Sequence, residues 1–577
     1  MRYWSRLLAS SICLVGVALS QDGIRSHYIS GGREVPLVES PTARAFKVVE
    51  DRISQFREAV PAGTGALDRL SLLEQKYGIV VVRQSAGIDT VADAFEELAR
   101  NPVVEMVIPV YQMGDGEALV INEFVVRFNS GTEATAEGFF RRIGATVLRG
   151  RSRPALRRYV VTFPMLDIDA ALDVINGLNA DASVEYALPA FVRLYPPRTG
   201  VPTGSVLPPP RLDRRVQGAS PGNAACDTLL SSSNFPNDEF FDQQWSLNNT
   251  SSDPNLGLYD ADIDAPQAWA ETDSSPKVDI AIIDLGVDIH PDLEVLPGAD
   301  LVDDDSNAQP LANNSHGTAA AGIAGALSNN SIGVAGVPRS ARIVPVRIGL
   351  SECDTCAWQI VAGGEAEGIL AAVDLGAEVL SNSWGTSFLE GTDPTNPDLE
   401  AAIDYALESN RVVVFAAGNF FVLDPSEAVE YPATLATKKT LIAVSATNQW
   451  DEFKTSDYQT LPASKDAEYW WGSNWGEEIT LAAPGVGLYT TGNGGGYRCF
   501  SGTSAATPLV AGAAALLLAE YPSATPSEIR GWLEAGADYK GEPEKFGAGR
   551  LNVYGALMKA RALSSTAPQA PTGLEVH

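Results

Sequence analysis

A serine at the start of an apolar segment is the first candidate for chemistry in this sequence. Residues 502–508 read Gly-Thr-Ser-Ala-Ala-Thr-Pro, and residues 510–519 are rich in Ala and Leu. Pro508 suits the first turn of a helix, where a missing N–H costs little, and the amides at a helix start favour negative charge. Ser504 could therefore be a nucleophile or an ordinary N-cap serine. The choice depends on a base, a carboxylate and an oxyanion donor elsewhere.

The base must come from a short list, because the chain holds 4 histidines. His27 precedes the region expected to fold, His577 ends the chain, and His290 lies in a His-Pro-Asp turn. His316 opens a stretch of small residues that resembles the helix start around Ser504. It is the leading candidate for a general base, with a structural histidine as the alternative interpretation.

Two predicted strand ends offer the remaining groups. Asp284 follows the apolar Ile282 and Ile283, where a carboxylate could hold a histidine tautomer and stabilise the imidazolium. Asn419 follows an apolar run at 412–418, and its amide could donate to an oxyanion together with the Ser504 backbone N–H. A turn-capping aspartate and a turn asparagine are the alternatives.

The order of these motifs resembles a known family. Asp284-x-Gly286, His316-Gly317-Thr318, Ala416-Ala417-Gly418-Asn419 and the segment around Ser504 resemble the subtilisin-like serine protease (subtilase) family over residues 235–560. The resemblance implies that Ser504 attacks a peptide carbonyl while His316 takes the serine's proton and later protonates the leaving amine. It also implies that Asp284 orients His316 and that Asn419 stabilises the oxyanion.

A structural calcium ion is implied in the same way. Residues 328–334, Ser-Asn-Asn-Ser-Ile-Gly-Val, match the family's high-affinity calcium loop, and calcium prefers carboxylate and carbonyl oxygens. The implied ligands are the side chains of Asp292 and Asn330, the carbonyls of Ser328, Ile332 and Val334, and a further oxygen from Asp238 or Gln244. The loop at 284–292 looks one residue shorter than in many relatives, and a plain polar loop is the alternative.

Two segments are implied to contact substrate. Ser383-Trp384-Gly385 resembles the family segment that pairs with an extended substrate. Ala417 and Gly418 would line the pocket for the P1 side chain, which belongs to the residue before the cleaved bond. Their small size indicates a roomy, apolar pocket, and no carboxylate that would select a basic P1 residue is identified.

The elements that must position these residues alternate between apolar strands and helices from residue 226 to residue 563. Predicted strands cover 278–283, 343–348, 379–381, 412–416 and 441–445, and predicted helices cover 316–327, 359–375, 398–408 and 505–520. This alternation predicts an α/β fold, a subtilisin-like parallel sheet covered by helices on both faces. Function in such sheets gathers at the carboxyl ends of the strands.

An internal repeat precedes this region. Residues 77–109 match residues 159–189, each as strand, helix and strand. Residues 117–195 have the β-α-β-β-α-β order of a small α+β ferredoxin-like domain, and residues 21–116 are interpreted as a propeptide region with a partial copy. The domain resembles a subtilase prodomain. That implies an intramolecular inhibitor whose residues 184–195 enter the cleft, with a stable accessory domain as the alternative.

The remaining segments indicate export and processing. Residues 1–20 resemble a secretory signal peptide, with a buried N-terminal helix as the alternative. Residues 196–225 form a Pro- and Gly-containing linker with several arginines. We expect the processing bond within this linker, because Pro196 makes the preceding bond a poor one to cleave. Residues 564–577 form a C-terminal tail.

An even number of cysteines remains after the predicted signal: Cys226, Cys353, Cys356 and Cys499. In an exported protein this indicates disulfides, and three pairings are possible. Cys353 and Cys356 are close enough for a local bridge, which would leave Cys226 to pair with Cys499.

Charge and motif order narrow the function. The 41 basic and 72 acidic residues give a net charge of −31, which argues against nucleic acid and anionic membranes as partners.

The sequence predicts a secreted serine endopeptidase, extracellular or periplasmic, that acts on proteins or peptides. We expect a self-processing proenzyme and a monomer with no membrane attachment after signal removal. A lipase or esterase is disfavoured, because Asp284 precedes Ser504 and Ala506 replaces the last glycine of Gly-x-Ser-x-Gly. A non-catalytic binding protein on a subtilase fold remains the alternative.

Overall fold

A computed structural model describes most of the chain. The described residues are 24–30, 32–60, 66–67, 71–83, 91–113, 116–132, 136–195, 235–251, 257–354, 356–386, 395–421, 428–456, 466, 468 and 470–564. The predicted signal peptide, the linker at 196–225, Cys226 and the tail beyond Ser564 lie outside these ranges.

The region up to Tyr195 alternates strands and helices. Its elements are β1 (Ile24–Ser30), β2 (Arg33–Val48), α1 (Ile53–Ala59), β3 (Ala66–Leu67), α2 (Ser71–Tyr77), β4 (Ile79–Arg83), α3 (Val91–Ala99), β5 (Val104–Met113), β6 (Gly116–Phe128), α4 (Ala136–Arg142), β7 (Thr146–Val147), β8 (Arg158–Thr162), α5 (Ile168–Leu178) and β9 (Val184–Tyr195). Both predicted strand-helix-strand repeats are confirmed, as β4-α3-β5 and β8-α5-β9.

The two copies of this repeat have the same topology. The strands run β5-β2-β4-β3 in the first copy and β9-β6-β8-β7 in the second, and β5 pairs with β6 to join them into one sheet. The first copy is therefore a full set of strands, where the sequence indicated a partial one. Its opening strand β2 is interrupted by a register shift between Glu39 and Arg44, which breaks the alternation that identifies a strand. His27, expected before the folded region, lies in β1 opposite Pro36.

The second region holds the remaining described elements. They are α6 (Ala265–Trp269), β10 (Val278–Asp284), β11 (Ala299–Asp300), α7 (His316–Gly325), β12 (Ala341–Arg347), β13 (Gly349–Leu350), β14 (Trp358–Ile360), α8 (Gly364–Asp374), β15 (Val379–Asn382), α9 (Pro397–Glu408), β16 (Val412–Ala416), β17 (Asn419–Phe421), β18 (Ile442–Thr447), β19 (Trp471–Ser473), β20 (Leu481–Pro484), β21 (Leu488–Gly492), β22 (Gly496–Phe500), α10 (Thr503–Glu520), α11 (Pro526–Gly536), α12 (Pro543–Phe546) and α13 (Val553–Ser564).

A parallel sheet with the order β11-β12-β10-β15-β16-β18-β20 forms the centre of this region. Successive side chains of a strand point to opposite faces. Ile280 and Ile282 of β10 accordingly pack into the core that contains α7 and α10. Ala281 and Ile283 pack into the core that contains α8 and α9. Helices therefore cover both faces, and the predicted α/β subtilisin-like fold is confirmed.

Helix α10 runs through the middle of one core, with every residue from Thr503 to Ala519 buried. Among the described residues it is the one helix long and apolar enough to cross a membrane, and 94% of it is buried inside the protein. Its apolar character is therefore explained by packing within the fold.

Residues 358–363 differ from the prediction. A helix was expected over 359–375, but β14 occupies Trp358–Ile360 and α8 begins at Gly364. Strand β14 pairs antiparallel with β9 of the N-terminal region, Trp358 opposite Tyr195 and Ile360 opposite Arg193. Pairing with a distant segment thus overrides the local helical pattern. The other predicted strands and helices of this region are confirmed with small shifts at their ends.

The local disulfide between Cys353 and Cys356 is present, with an S–S distance of 2.06 Å. Cys499 forms no disulfide within the described ranges. Its pairing with Cys226, which lies outside them, stays a prediction.

Candidate active site

Four polar residues lie at the carboxyl edge of the parallel sheet. Asp284 ends β10, His316 opens α7, Asn419 follows β16, and Ser504 is the second residue of α10. Strands β10 and β16 flank β15 on its two sides. Because parallel strands end at one edge, residues far apart in the sequence meet there.

Asp284 and His316 form a buried pair. The Nδ1 atom of His316 lies 2.9 Å from Oδ2 and 3.0 Å from Oδ1 of Asp284. Asp284 also accepts a hydrogen bond from the Leu285 N–H at 2.8 Å, which fixes the carboxylate. A Cβ atom at Gly317 would lie 2.3 Å from the Gly286 carbonyl oxygen and 3.2 Å from Asp284 Oδ1. The close approach of α7 to the end of β10 therefore needs glycine at this position. The pair holds the imidazole in one orientation, with Nδ1 towards the carboxylate.

Two aromatic rings enclose the imidazole of His316. Trp358 of β14 meets it edge-on with ring centroids 4.7 Å apart, and Phe500 meets it edge-on at 5.0 Å. The Nε2 atom of His316 is buried and has no hydrogen-bond partner in the described part of the chain. The nitrogen opposite Asp284 is thus available for proton transfer. Sequence reasoning missed Trp358 and Phe500, since neither belongs to the motifs around the polar residues.

Ser504 lies at the start of α10 and is buried. Its Oγ donates to the Ser383 carbonyl at 3.3 Å, and the Ser383 Oγ donates to the Ser504 carbonyl at 3.0 Å. The serine hydroxyl is therefore hydrogen-bonded to the backbone just after β15 in this structure. Catalytic hydrogen bonds are commonly long or misaligned before substrate binds.

The Asn419 side chain lies beside the start of α10. The Oδ1 atom of Asn419 accepts from the Thr503 N–H at 2.8 Å and from the Thr503 hydroxyl at 3.2 Å, which leaves Nδ2 as the donating end of the amide. A Cβ atom built on Gly502, whose φ is +128°, would lie 3.5 Å from both Ser504 N and Asn419 Oδ1 and 3.7 Å from Asn419 Nδ2. The side-chain amide of Asn419 and the backbone N–H of Ser504 therefore both lie close to Gly502.

Strand β9 of the N-terminal region reaches this edge of the sheet. Beyond its pairing with β14, the Tyr195 hydroxyl donates to Glu365 at 2.7 Å and lies 2.8 Å from the Thr386 hydroxyl. The Arg193 guanidinium lies 3.3 Å from Glu365, and both side chains are buried. Burial and the Glu365 charge raise the pKa of Tyr195, so this hydroxyl stays protonated.

The predicted substrate segment Ser383-Trp384-Gly385 follows β15. The Trp384 side chain is held in the core, where Nε1 donates to the Ile283 carbonyl at 3.0 Å. Ala417 and Gly418 follow the neighbouring strand β16. The gap between these segments was expected to be apolar. Instead, the carboxylate of Glu430 lies between Gly385 and Gly418. A Cβ atom on Gly385 would be 2.6 Å from Glu430 Oε2, and one on Gly418 would be 2.5 Å from Oε1.

The predicted calcium ligands also lie together. Asp292 accepts from Asn330 Nδ2 at 2.6 Å and from the Val334 N–H at 2.8 Å. Asp238 is buried and accepts from the Asn329 N–H at 2.8 Å, while its Oδ1 has no hydrogen-bond partner among the described residues. Burial raises the pKa of both carboxyl groups. Two desolvated carboxylates with an unused oxygen fit a cation.

Gln244 is the weaker of the two alternatives for the further ligand. Its side-chain amide makes two hydrogen bonds to the backbone of Ala335, at 2.7 and 2.8 Å. The described residues contain no cluster of three or more His, Cys, Asp or Glu side chains suited to a metal, so any ion here would depend on amide and carbonyl oxygens as well.

Comparison with known proteins gives two family matches. Residues 275–549 match the model of the subtilase family. Residues 110–190 match that of the fervidolysin N-terminal prodomain.

Two curated proteins and one solved structure illustrate what the chain is similar to. The chain is 39% identical over 299 residues to thermitase of Thermoactinomyces vulgaris, covering 51% of this chain and 93% of that protein. It is 31% identical over 446 residues to the thermophilic serine proteinase of Bacillus sp. (strain AK1), covering 76% and 88%. The crystal structure of fervidolysin from Fervidobacterium pennivorans, a keratinolytic enzyme related to subtilisin, superposes with a TM-score of 0.52 at 23% identity. That superposition covers 78% of this chain and 61% of that one, and it shows a shared fold.

Proposed function

Because the chain belongs to the subtilase family of serine peptidases, we propose that it is a secreted endopeptidase made as a self-processing proenzyme. Asp284, His316 and Ser504 form its catalytic triad. The observation that carries this proposal is the buried Asp284–His316 pair at 2.9 Å, with Nε2 unbonded and Ser504 at the start of α10 on the same sheet edge.

The reaction follows from these positions. Ser504 Oγ attacks the carbonyl carbon of the peptide bond while His316 Nε2 takes its proton. Asp284 holds the Nδ1 proton and stabilises the imidazolium. The Ser504 N–H and Asn419 Nδ2 donate to the oxyanion of the tetrahedral intermediate. His316 then protonates the leaving amine, and water hydrolyses the acyl-enzyme by the same steps.

The N-terminal region acts as an intramolecular inhibitor. Its β9 occupies the edge of β14, the position where an extended substrate would add a strand. Trp358 of that edge also contacts His316, so the inhibitor strand lies next to the catalytic base. Cleavage within residues 196–225 would separate the two regions and free this edge for a protein or peptide substrate.

Calcium has a structural role in this proposal. Asp238, Asp292 and Asn330 would hold the ion, with carbonyls of residues 328–334. A bound cation would neutralise two buried carboxylates and fix the loop after α7, which begins with His316.

The test uses the purified full chain and its Ser504→Ala variant. We expect the natural chain to hydrolyse an unfolded protein substrate and to be labelled by a serine-directed fluorophosphonate, and Ser504→Ala to lose both. Ser523→Ala changes an exposed serine of the same domain and should keep both. A natural chain that is neither active nor labelled after removal of the N-terminal region would favour a non-catalytic binding protein.

A further inference from the structure

We propose that Glu430 makes the pocket beside Ser504 selective for substrates with arginine or lysine at P1. The inference rests on the proposed function, since it names the substrate class of the same site. It is carried by the position of the Glu430 carboxylate between Gly385 and Gly418, which lie in the segments that follow β15 and β16.

The pocket lies between two chain segments that leave the sheet side by side. Strands β15 and β16 are parallel neighbours, with Asn382 opposite Phe415. The segment after β15 contacts the nucleophile, since Ser383 O is 3.3 Å from Ser504 Oγ. The segment after β16 leads to Asn419, which binds the Thr503 N–H at 2.8 Å. The gap between the segments therefore opens directly beside Ser504.

A third segment closes the far side of this gap. The Glu430 N–H donates to the Ala417 carbonyl at 2.9 Å. Tyr431 exchanges backbone hydrogen bonds with Thr386 at 2.8 and 2.9 Å. Glu430 is thus tied to one wall through its own backbone and to the other wall through its neighbour.

The carboxylate occupies the space where side chains on the two walls would be. A Cβ atom on Gly385 would approach Glu430 Oε2 to 2.6 Å, and one on Gly418 would approach Oε1 to 2.5 Å. Gly418 also has a φ of +101°, which disfavours any side chain there. The glycines thus leave room for one carboxylate oxygen at each wall, and Glu430 is half-buried between them.

A carboxylate in this position discriminates between P1 side chains. An apolar side chain that filled the pocket would remove water from around the carboxylate, which costs free energy. A guanidinium or ammonium group would form a charge-assisted hydrogen bond with it. A carboxylate in the P1 pocket is also how serine proteases of another fold select basic residues. Arginine and lysine carry the positive charge that would pair with this carboxylate.

The linker sequence agrees with this selectivity. Residues 196–225, in which processing is proposed, contain basic residues at four positions: Arg198, Arg211, Arg214 and Arg215. A self-processing enzyme that prefers basic P1 residues would find its preferred bonds in the segment that joins its two regions.

The experiment compares the mature natural enzyme with Glu430→Gln on four peptide nitroanilides that differ only in P1: Arg, Lys, Phe and Leu. We expect the natural enzyme to favour Arg and Lys by about 10²-fold or more in kcat/KM. Glu430→Gln should lower kcat/KM for these two by a similar factor and leave Phe and Leu unchanged or faster. Glu477→Gln, an exposed carboxylate of the same domain, should keep the natural preference.

Labelling by the fluorophosphonate shows whether each variant keeps an intact active site. The inference is overturned if the natural enzyme prefers Phe or Leu, or if Glu430→Gln lowers all four substrates equally while labelling is retained. Absence of both hydrolysis and labelling in the natural enzyme would instead refute the proposed function. The two failures are therefore distinguishable.

Discussion

Arg158 and Asp398 form a two-pronged ion pair across 240 positions of the sequence, with Nε–Oδ1 at 2.6 Å and Nη2–Oδ2 at 2.7 Å. The same guanidinium binds Glu367 at 2.5 Å, and Tyr186 donates to Asp398 at 2.9 Å. All four side chains are buried. The charges of Asp398 and Glu367 raise the pKa of Arg158 against the opposing effect of burial. One cation of the N-terminal region thus pairs with two carboxylates of the peptidase region.

Loss of this cation should loosen the N-terminal region. In Arg158→Met, Asp398 loses its charged partner and Glu367 keeps only Arg153, at 3.8 Å. Removing one member of a buried pair costs about 2–5 kcal/mol. We expect the cleaved N-terminal region to dissociate roughly 10²-fold faster or more, seen as a shorter lag before full activity. Arg149→Ala removes an exposed arginine that pairs with Glu137 and should leave the lag unchanged. An unchanged lag in Arg158→Met would contradict the prediction.

Asp284→Asn should retain folding and lose most activity. The amide cannot stabilise the imidazolium and favours the wrong histidine tautomer, so kcat should fall by about 10⁴-fold. Steady-state kinetics on a peptide amide would measure the loss. Asp305→Asn, in an exposed turn, is the matched control. A loss below tenfold would argue against the assigned role of Asp284.

Asn419→Ala should affect turnover more than substrate binding. Removing one oxyanion donor lowers kcat by about 10²–10³-fold, and KM should change little because the donor acts mainly in the transition state. Asn410→Ala, at the exposed turn after α9, should behave like the natural enzyme. A large rise in KM with kcat retained would refute the oxyanion assignment.

Calcium should stabilise the mature enzyme more strongly as pH rises. Burial raises the folded-state pKa of Asp238 and Asp292 above the unfolded value. Without metal, their contribution to stability is therefore lost as pH rises through the raised pKa values. Calcium binds the ionised carboxylates, so its stabilising effect grows over the same range.

At a hundredfold excess over Kd, calcium would add about 2.7 kcal/mol, or roughly 5 °C in Tm. Thermal unfolding with calcium and with a chelator at several pH values would measure this difference. Asp238→Asn should reduce it, whereas Asp303→Asn, in the exposed turn, should not. A difference that shrinks with rising pH would contradict the assignment.

Maturation should depend on Ser504 and occur in the linker. The purified Ser504→Ala precursor should stay uncleaved, because self-processing needs the nucleophile. N-terminal sequencing of the natural mature protein should find a first residue that follows one of the four linker arginines. Normal cleavage of purified Ser504→Ala by itself would contradict self-processing, and a natural cleavage after an apolar residue would argue against the role of Glu430.

Local sequence patterns were enough to predict most elements of the peptidase region. The apolar run before Asp284 indicates a buried parallel strand. The small residues after His316 and Ser504 indicate helices that begin close to other segments of the same chain. The repeated strand-helix-strand pattern of the N-terminal region was also recognisable. These signals are local, since the period of apolar residues reports the type of element directly. The motif order then indicated the family and its catalytic residues.

Contacts between distant segments were decided only by the tertiary structure. Residues 359 and 360, which were predicted as the start of a helix, lie in β14 because β9 pairs with them. Trp358 and Phe500 enclose His316 although neither is near it in the sequence. Arg158 pairs with Asp398, and Glu430 lies in the pocket that the small residues Ala417 and Gly418 had suggested would be apolar. A sequence shows which residues can be buried or charged, but partner choice depends on how the elements pack. The residues proposed to carry out the chemistry were therefore evident from the sequence, whereas the groups that surround them depended on the fold.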